Sequence, residues 1–274
     1  MSTIKNAHRK AIFSRLIGQN IAWLREIIAA ALIKLGVKPN TLTLLGLIIT
    51  AWGAFFLALG SGDRVGGRAL ADHSWYGFWA AIILIIASAC DILDGAVARK
   101  SQQITRLGGF LDSCFDRIAD GLIFLGITIY YVRQPELPHS ELFAVLSITA
   151  LVNAQIISYV KARAENYIDN CGVGYWQRGE RIAAILIGLF SGHIATVIVM
   201  LAMLPVFTVL RRLLFAYRQI KRLESKQPPL DPYPPLQGIM RLALWRCRRG
   251  TWQYDLITAA NIAAILMIDL QNLF

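Results

Sequence analysis

Six apolar stretches, each close to the length of a helix that crosses a bilayer, fill most of residues 40–216 and leave the chain few folds to choose from. They read as spans at 40–60, 75–99, 107–132, 140–164, 179–192 and 194–216. Inside hydrocarbon every backbone N–H and C=O needs a partner within the protein, so stretches of this length are helices. The fifth and sixth are parted only by Gly192 and His193, the weakest of the boundaries. Composition agrees: the 274 residues are 16% charged, against roughly 25% in soluble domains. The expected fold class is an all-α membrane protein with six transmembrane helices. No internal repeat is visible.

Both flanks differ from this core. Around residues 11–35, Phe13, Leu16, Ile17, Ile21, Leu24, Ile27, Ile28 and Leu32 recur with a helical period, while Arg15, Gln19, Arg25, Glu26 and Lys34 fall largely on the other side. An amphipathic helix lying along the membrane fits this pattern better than a span. Gly36 ends it, and Pro39-Asn40-Thr41 makes a turn and cap for the next element. No cleaved leader is expected, because the first apolar helix follows a long charged segment without a small-residue cleavage site. Beyond the sixth span, KQPPLDPYPPL reads as a proline-rich linker, and a basic stretch RLALWRCRRG precedes the apolar LITAANIAAILMI. That last core of 13 residues is short for a span, so an interfacial or packed helix is expected. The organisation is then 1–37, 38–224 and 225–274.

The net charge of +11 could suggest nucleic acid, but its distribution excludes that partner. Basic residues fall in the gaps between apolar stretches, as at a surface of anionic membrane lipid. One side collects Lys5, Arg9, Lys10, Arg15, Arg25, Lys34, Lys38, then Arg99, Lys100 and Arg106. The same side receives Lys161, Arg163, Arg178 and Arg181, then Arg211, Arg212, Arg218, Lys221 and Arg222. The opposite gaps hold only Arg64, Arg68 and Arg133. The positive-inside rule puts the rich side in the cytoplasm.

Four aspartates stand against this apolar background, in DILDGAVARKSQQITRLGGFLDSCFD. Asp91 and Asp94 are three residues apart, and Asp112 and Asp116 four, so each pair shares a helix face. A carboxylate inside a membrane helix is costly and functional by default. Clustered carboxylates repel one another unless cations hold them, which predicts a divalent metal site at the cytoplasmic edge. Pairing with Arg99, Lys100, Arg106 and Arg117 would explain the acids alone, but would not require Gly95, Ala98 and Gly108 at fixed intervals. The four cysteines are dispersed without zinc-like spacing, and the four histidines form no cluster.

The spacing Asp91-x2-Asp94-Gly95-x2-Ala98-Arg99-x8-Gly108-x3-Asp112-x3-Asp116 resembles the signature of the CDP-alcohol phosphotransferases, with every fixed position filled. The wider resemblance spans roughly residues 38–216. It implies that 38–224 is a catalytic domain whose donor is a CDP-linked lipid, here CDP-diacylglycerol, with CMP released. Carboxylate-only ligation suits Mg²⁺ or Mn²⁺ better than zinc, and two ions would stabilise charge on the attacked phosphoryl group and on the departing CMP. By the resemblance, Asp116 is the general base, with Asp91, Asp94, Asp112 and Asp116 as metal ligands. Asn40, Thr43, Asp94, Gly95, Ala98, Arg99 and Gly108 would then line the CDP, the glycines allowing close approach. A homodimer is common in such a family, though no residue here locates an interface. Asp120, one turn further along the stripe, is expected to support the site or to pair with Arg117.

A second cluster bears on the acceptor. SYVKARAE ends the fourth span and WQRGERI begins the fifth, which places Lys161, Arg163, Arg178 and Arg181 at one cytoplasmic entrance. Such a concentration suits an anionic polyol phosphate. LDSCFDRIADGLIF, SY-x2-ARAE and R-x-ER also resemble elements of the bacterial phosphatidylinositol phosphate synthases, and so favour inositol phosphate. In that subgroup the acceptor phosphate meets basic residues on spans four to six, matched here best by Lys161 and Arg178, with Arg163, Arg181 and either Arg211 or Arg212 as further contacts. Glycerol 3-phosphate or another small alcohol is the alternative acceptor. An ion-coupled transporter would need polar residues continuing to the outer face, where LIFLGITIYY and WYGFWAAIILII stand instead.

Overall fold

Pro39 shows how directly the sequence sets the first boundary. In the computed structural model, which describes residues 12–60, 64–65, 68–69, 74–231 and 251–268, Lys38 is extended (ψ 147°) and Pro39 opens the second helix. A residue before proline avoids the helical region, while the fixed φ of proline suits a first helical position. The helices are α1 (Ile12–Lys34), α2 (Pro39–Leu59), α3 (Ser74–Lys100), α4 (Arg106–Val132), α5 (Ser140–Ala164), α6 (Arg178–Ser191), α7 (Ile194–Met203), α8 (Pro205–Glu224) and α9 (Trp252–Met267). A two-residue antiparallel ladder, β1 (Arg64–Val65) with β2 (Arg68–Ala69), lies between α2 and α3. Every other regular element among the described residues is a helix, as expected. The linker beyond residue 231, the basic stretch 241–250 and the charges of residues 1–10 lie outside the described residues.

The helices close into a ring. α2 packs between α3 and α4, α4 reaches α5, α5 meets α7, and α6 joins α7 back to α3. The interior is built from side chains such as Leu57, Leu84, Ile127, Tyr131, Phe143 and Ile198. Around the outside, Trp52, Phe55, Trp79, Leu125, Val145 and Ile148 are half exposed or more. An apolar outer surface of this extent is what a bilayer covers. The protein is an integral, multi-pass, all-helical membrane protein.

Four helical stretches are both long and apolar enough to cross: Pro39–Leu59, Trp75–Lys100, Ser140–Ala164 and Ile194–Glu224. The other two expected spans have physical reasons for falling short of that measure. α4 is 27 residues long but carries Asp112, Asp116, Arg117 and Asp120, whereas α6 has only 14 residues. Gly192, in the left-handed region at φ 74°, ends α6 abruptly. The sixth expected span is also divided: α7 stops at Met203 and α8 starts at Pro205. Proline has no N–H to continue the ladder, which breaks the helix there. α8 then runs to Glu224, about two turns beyond the expected end.

Close approach of α2 and α4 depends on one glycine. A Cβ at Gly126 would lie 2.4 Å from the Ala54 carbonyl oxygen, so only a bare Cα fits. α1 docks on the end of α3 through Ala29, Leu32 and Ile33, near Ala96 and Val97. Its Leu24, Ile27 and Ile28 stay exposed, which leaves an apolar strip uncovered by protein. At the other terminus α9 lies on α6 and α7, with Ile257 and Ile265 entering the main core. The last apolar segment is therefore a packed helix.

Candidate active site

The aspartates converge because one helix ends where the next begins. α3 stops at Lys100, Gln102 takes a left-handed turn (φ 56°), and Thr105 caps α4 by accepting the Gly108 N–H at 2.9 Å. Asp91 lies nine residues before the end of α3 and Asp116 ten residues after the start of α4. At 1.5 Å per residue both are about 14–15 Å deep along their helices. One oxygen each from Asp91, Asp112 and Asp116 lies within 4.8 Å of the others. Asp94 is buried beside Thr43 of α2, and its Oδ2 has no hydrogen-bond partner among the described residues.

Carboxylates this close need positive charge between them. Arg178, first residue of α6, supplies it: Nη1 lies 2.7 Å from Asp91 Oδ2 and 2.7 Å from Asp116 Oδ1. Its Nε is 3.6 Å from Asp120 Oδ1. One turn on, Arg181 Nη2 lies 2.5 Å from Asp120 Oδ2, and Arg181 also donates to the Trp176 carbonyl at 3.3 Å. Both Arg181 and Asp120 are buried. The pairing expected between Asp120 and Arg117 does not form; Arg117 donates instead to the Ser113 carbonyl and hydroxyl. Arg181, expected at an acceptor phosphate, is enclosed at 2% exposure and anchors α6 to α4.

The residues expected at the nucleotide form one continuous strip. A Cβ on Gly108 would stand 3.3 Å from Asn40 Oδ1, so α2 and α4 meet there. One turn along α2, Thr43 is next to Asp94 and donates to the Pro39 carbonyl at 3.1 Å. A Cβ on Gly95 would come 3.2 Å from Arg99 Nη1, so that guanidinium folds back over Gly95, with Ala98 half-buried beside it.

The basic residues are less concentrated than their spacing suggests. Of these, Arg178 is the one whose guanidinium is bonded to Asp91 and Asp116. Lys161 is exposed and 4.0 Å from Glu165, and Arg163 lies over the Tyr167 ring at 5.5 Å. Arg211 is half-buried on α8. Its neighbour Arg212 is buried, donating to the Val173 carbonyl at 2.8 Å and the Ile157 carbonyl at 2.6 Å, and so ties the 165–177 loop to α5 and α8. That structural role has no local sequence signal, since its partners lie 39 and 55 residues away.

Below the aspartates a cavity of about 30 Å³ is lined by Thr50, Ser88, Asp91 and Arg178 and closes against Leu84 and Ile123.

The profile of the CDP-alcohol phosphatidyltransferases matches residues 37–220, about two thirds of the chain. The chain belongs to that family. It is a CDP-alcohol phosphatidyltransferase. A phosphatidylinositol phosphate synthase of Corynebacterium glutamicum is 34% identical over 197 residues, covering 70% of this chain and 83% of that one. An archaetidylinositol phosphate synthase of Methanothermobacter thermautotrophicus is 36% identical over 147 residues, 52% of this chain and 71% of that one. Among solved structures, the Mycobacterium tuberculosis phosphatidylinositol phosphate synthase with CDP-DAG bound aligns at a TM-score of 0.58 with 27% identity, covering 70% of this chain and 93% of that one. The same enzyme in complex with manganese and citrate aligns at 0.58 with 27% identity, covering 70% of this chain and 88% of that one. α9 lies outside the region that the family profile matches.

Proposed function

We propose that this enzyme transfers the phosphatidyl group of CDP-diacylglycerol to a hydroxyl of an inositol phosphate and releases CMP. The observation that carries the reading is the convergence of Asp91, Asp112 and Asp116 with Arg178 bonded to two of them. Relatives named for inositol phosphate lipids supply the acceptor.

The donor set fits divalent metal: all its ligands are carboxylate oxygens, and one buried Asp94 oxygen still lacks a partner. Two Mg²⁺ or Mn²⁺ ions, held by Asp91, Asp94, Asp112 and Asp116, would supply charge stabilisation for the phosphoryl group and the CMP leaving group. The protein's own residues do the rest. Asn40, Thr43, Gly95, Ala98, Arg99 and Gly108 form the strip along which CDP lies. Arg178 receives the acceptor's phosphate, with Lys161, Arg163 and Arg211 drawing it in from the surface. Because Arg178 touches Asp116, a phosphate on that guanidinium brings its neighbouring hydroxyl to the base. Asp116 takes the hydroxyl proton as the oxygen bonds to the phosphorus bearing diacylglycerol, and the P–O bond to CMP breaks.

We further propose that α2, α3, α4, α5, α6 and the kinked α7–α8 pair each cross the membrane. Residues 38–224 then form the catalytic unit, which opens to the cytoplasm, and 1–37 lie at the interface. The exposed apolar strip of α1 and the basic residues gathered at the aspartate end support this placement. Purified protein in detergent should release CMP only when divalent cation, CDP-diacylglycerol and inositol phosphate are all present. CMP release that ignores chelation, or that needs no acceptor, would contradict the proposal.

A further inference from the structure

The first turn of α6 has two working sides. Arg178 and Arg181 project from one towards Asp91, Asp116 and Asp120. Glu180 lies on the other, where its carboxylate accepts a hydrogen bond from the Tyr254 hydroxyl of α9. Just upstream, the Tyr175 hydroxyl donates to Thr258 Oγ1 at 3.0 Å, and the Tyr175 and Tyr254 rings are 5.3 Å apart. At its far end α9 is tied to α7, where Thr196 donates to the Ile268 carbonyl at 2.6 Å. Between these ends α6 and α9 flank a cavity of about 430 Å³, lined in part by Ala183, Ile187 and Ile262, so the polar bonds at the two ends add to the apolar contact that Ile257 and Ile265 make with the core.

We infer that α9 is a strut for the acceptor-binding turn, with Tyr254 and Glu180 as positioning residues that hold Arg178 at its aspartates. The inference rests on the proposed role of Arg178 towards an acceptor phosphate. A guanidinium at a helix start is only as fixed as the turn that carries it. That turn is preceded by the 165–177 loop, whose anchors include Arg212 and Thr208 of α8, Arg181 at the Trp176 carbonyl, and the Tyr175–Thr258 bond to α9. Removing the α9 contact loosens Arg178 while leaving the aspartates of α3 and α4 in place. The consequence falls on the acceptor rather than on the nucleotide.

The test is Tyr254→Phe in the full chain, assayed with whichever phosphate-bearing acceptor supports turnover of the wild type. Acceptor KM should rise about five-fold, with donor KM and kcat within about two-fold, the size of effect expected for loss of one ordinary hydrogen bond. Glu180→Ala should match it, Glu180→Gln should stay near wild type because an amide oxygen still accepts the bond, and the Tyr254→Phe/Glu180→Ala pair should be no worse than either alone. Backbone amide exchange at 178–184, read without any substrate, should quicken in Tyr254→Phe and Glu180→Ala only. An unchanged acceptor KM with unchanged exchange, or donor and acceptor KM rising together, would overturn the inference. If the wild type turns over glycerol 3-phosphate and not inositol phosphate, the acceptor assignment fails while the strut is still tested by the same variants.

Discussion

Asp116 and Arg178 touch each other yet are assigned to different steps, and substitution can separate them. Asp116→Asn keeps the shape and removes the proton acceptor, so CMP release should fall to background while the detergent-solubilised protein still elutes as folded. Full activity in that variant would falsify the base assignment. Arg178→Ala should raise acceptor KM more than donor KM in initial-rate assays; the reverse pattern would move Arg178 to the nucleotide side. Arg181 behaves differently because it is enclosed with Asp120. Arg181→Met leaves a buried carboxylate without its closest partner, which should cost about 3–5 kcal/mol and lower the unfolding temperature in a thermal-shift measurement. The Arg181→Met/Asp120→Leu pair should recover much of that loss. The aspartates were legible in the sequence because a helix places residues three and four apart on one face. The Asp120–Arg181 pair was not, because its members are 61 residues apart and only the ring of helices brings them together.

The helices themselves divide along the same line. Their existence follows from apolar length, and the start of α2 follows from Pro39. Their packing does not, since nothing near Gly126 announces that the Ala54 carbonyl will lie against it. Gly126→Ala should force α2 from α4 and destabilise the fold by about 1–3 kcal/mol, measurable as a lower unfolding temperature; an unchanged value would show that the helices separate freely. The expected sixth span spoke for one helix, and Pro205 in the middle of it makes two. The place of Arg181 was hidden for a related reason: charge alone does not say which arginine faces the site and which is sealed within the bundle.

For the whole molecule, the proposed cytoplasmic placement of the active site can be tested directly. A single cysteine at the α3–α4 turn, Gln102→Cys in a chain whose native cysteines are replaced, should react with an impermeant maleimide from the cytoplasmic side of oriented vesicles. Reaction only from the opposite side would reverse the orientation. The membrane class and the donor chemistry could be read from residues 40–116, where length, apolarity and fixed spacing are local properties. The proposed acceptor contacts come from α5, α6 and α8, and α9 meets α6 only through the fold. The most direct test is therefore turnover of labelled CDP-diacylglycerol by the purified full chain against a panel of inositol phosphate, glycerol 3-phosphate, serine and inositol, with and without Mg²⁺. Label should pass to inositol phosphate, only with the metal, and leave CMP in equal amount; transfer to serine or free inositol in preference to inositol phosphate would contradict the role given to Arg178.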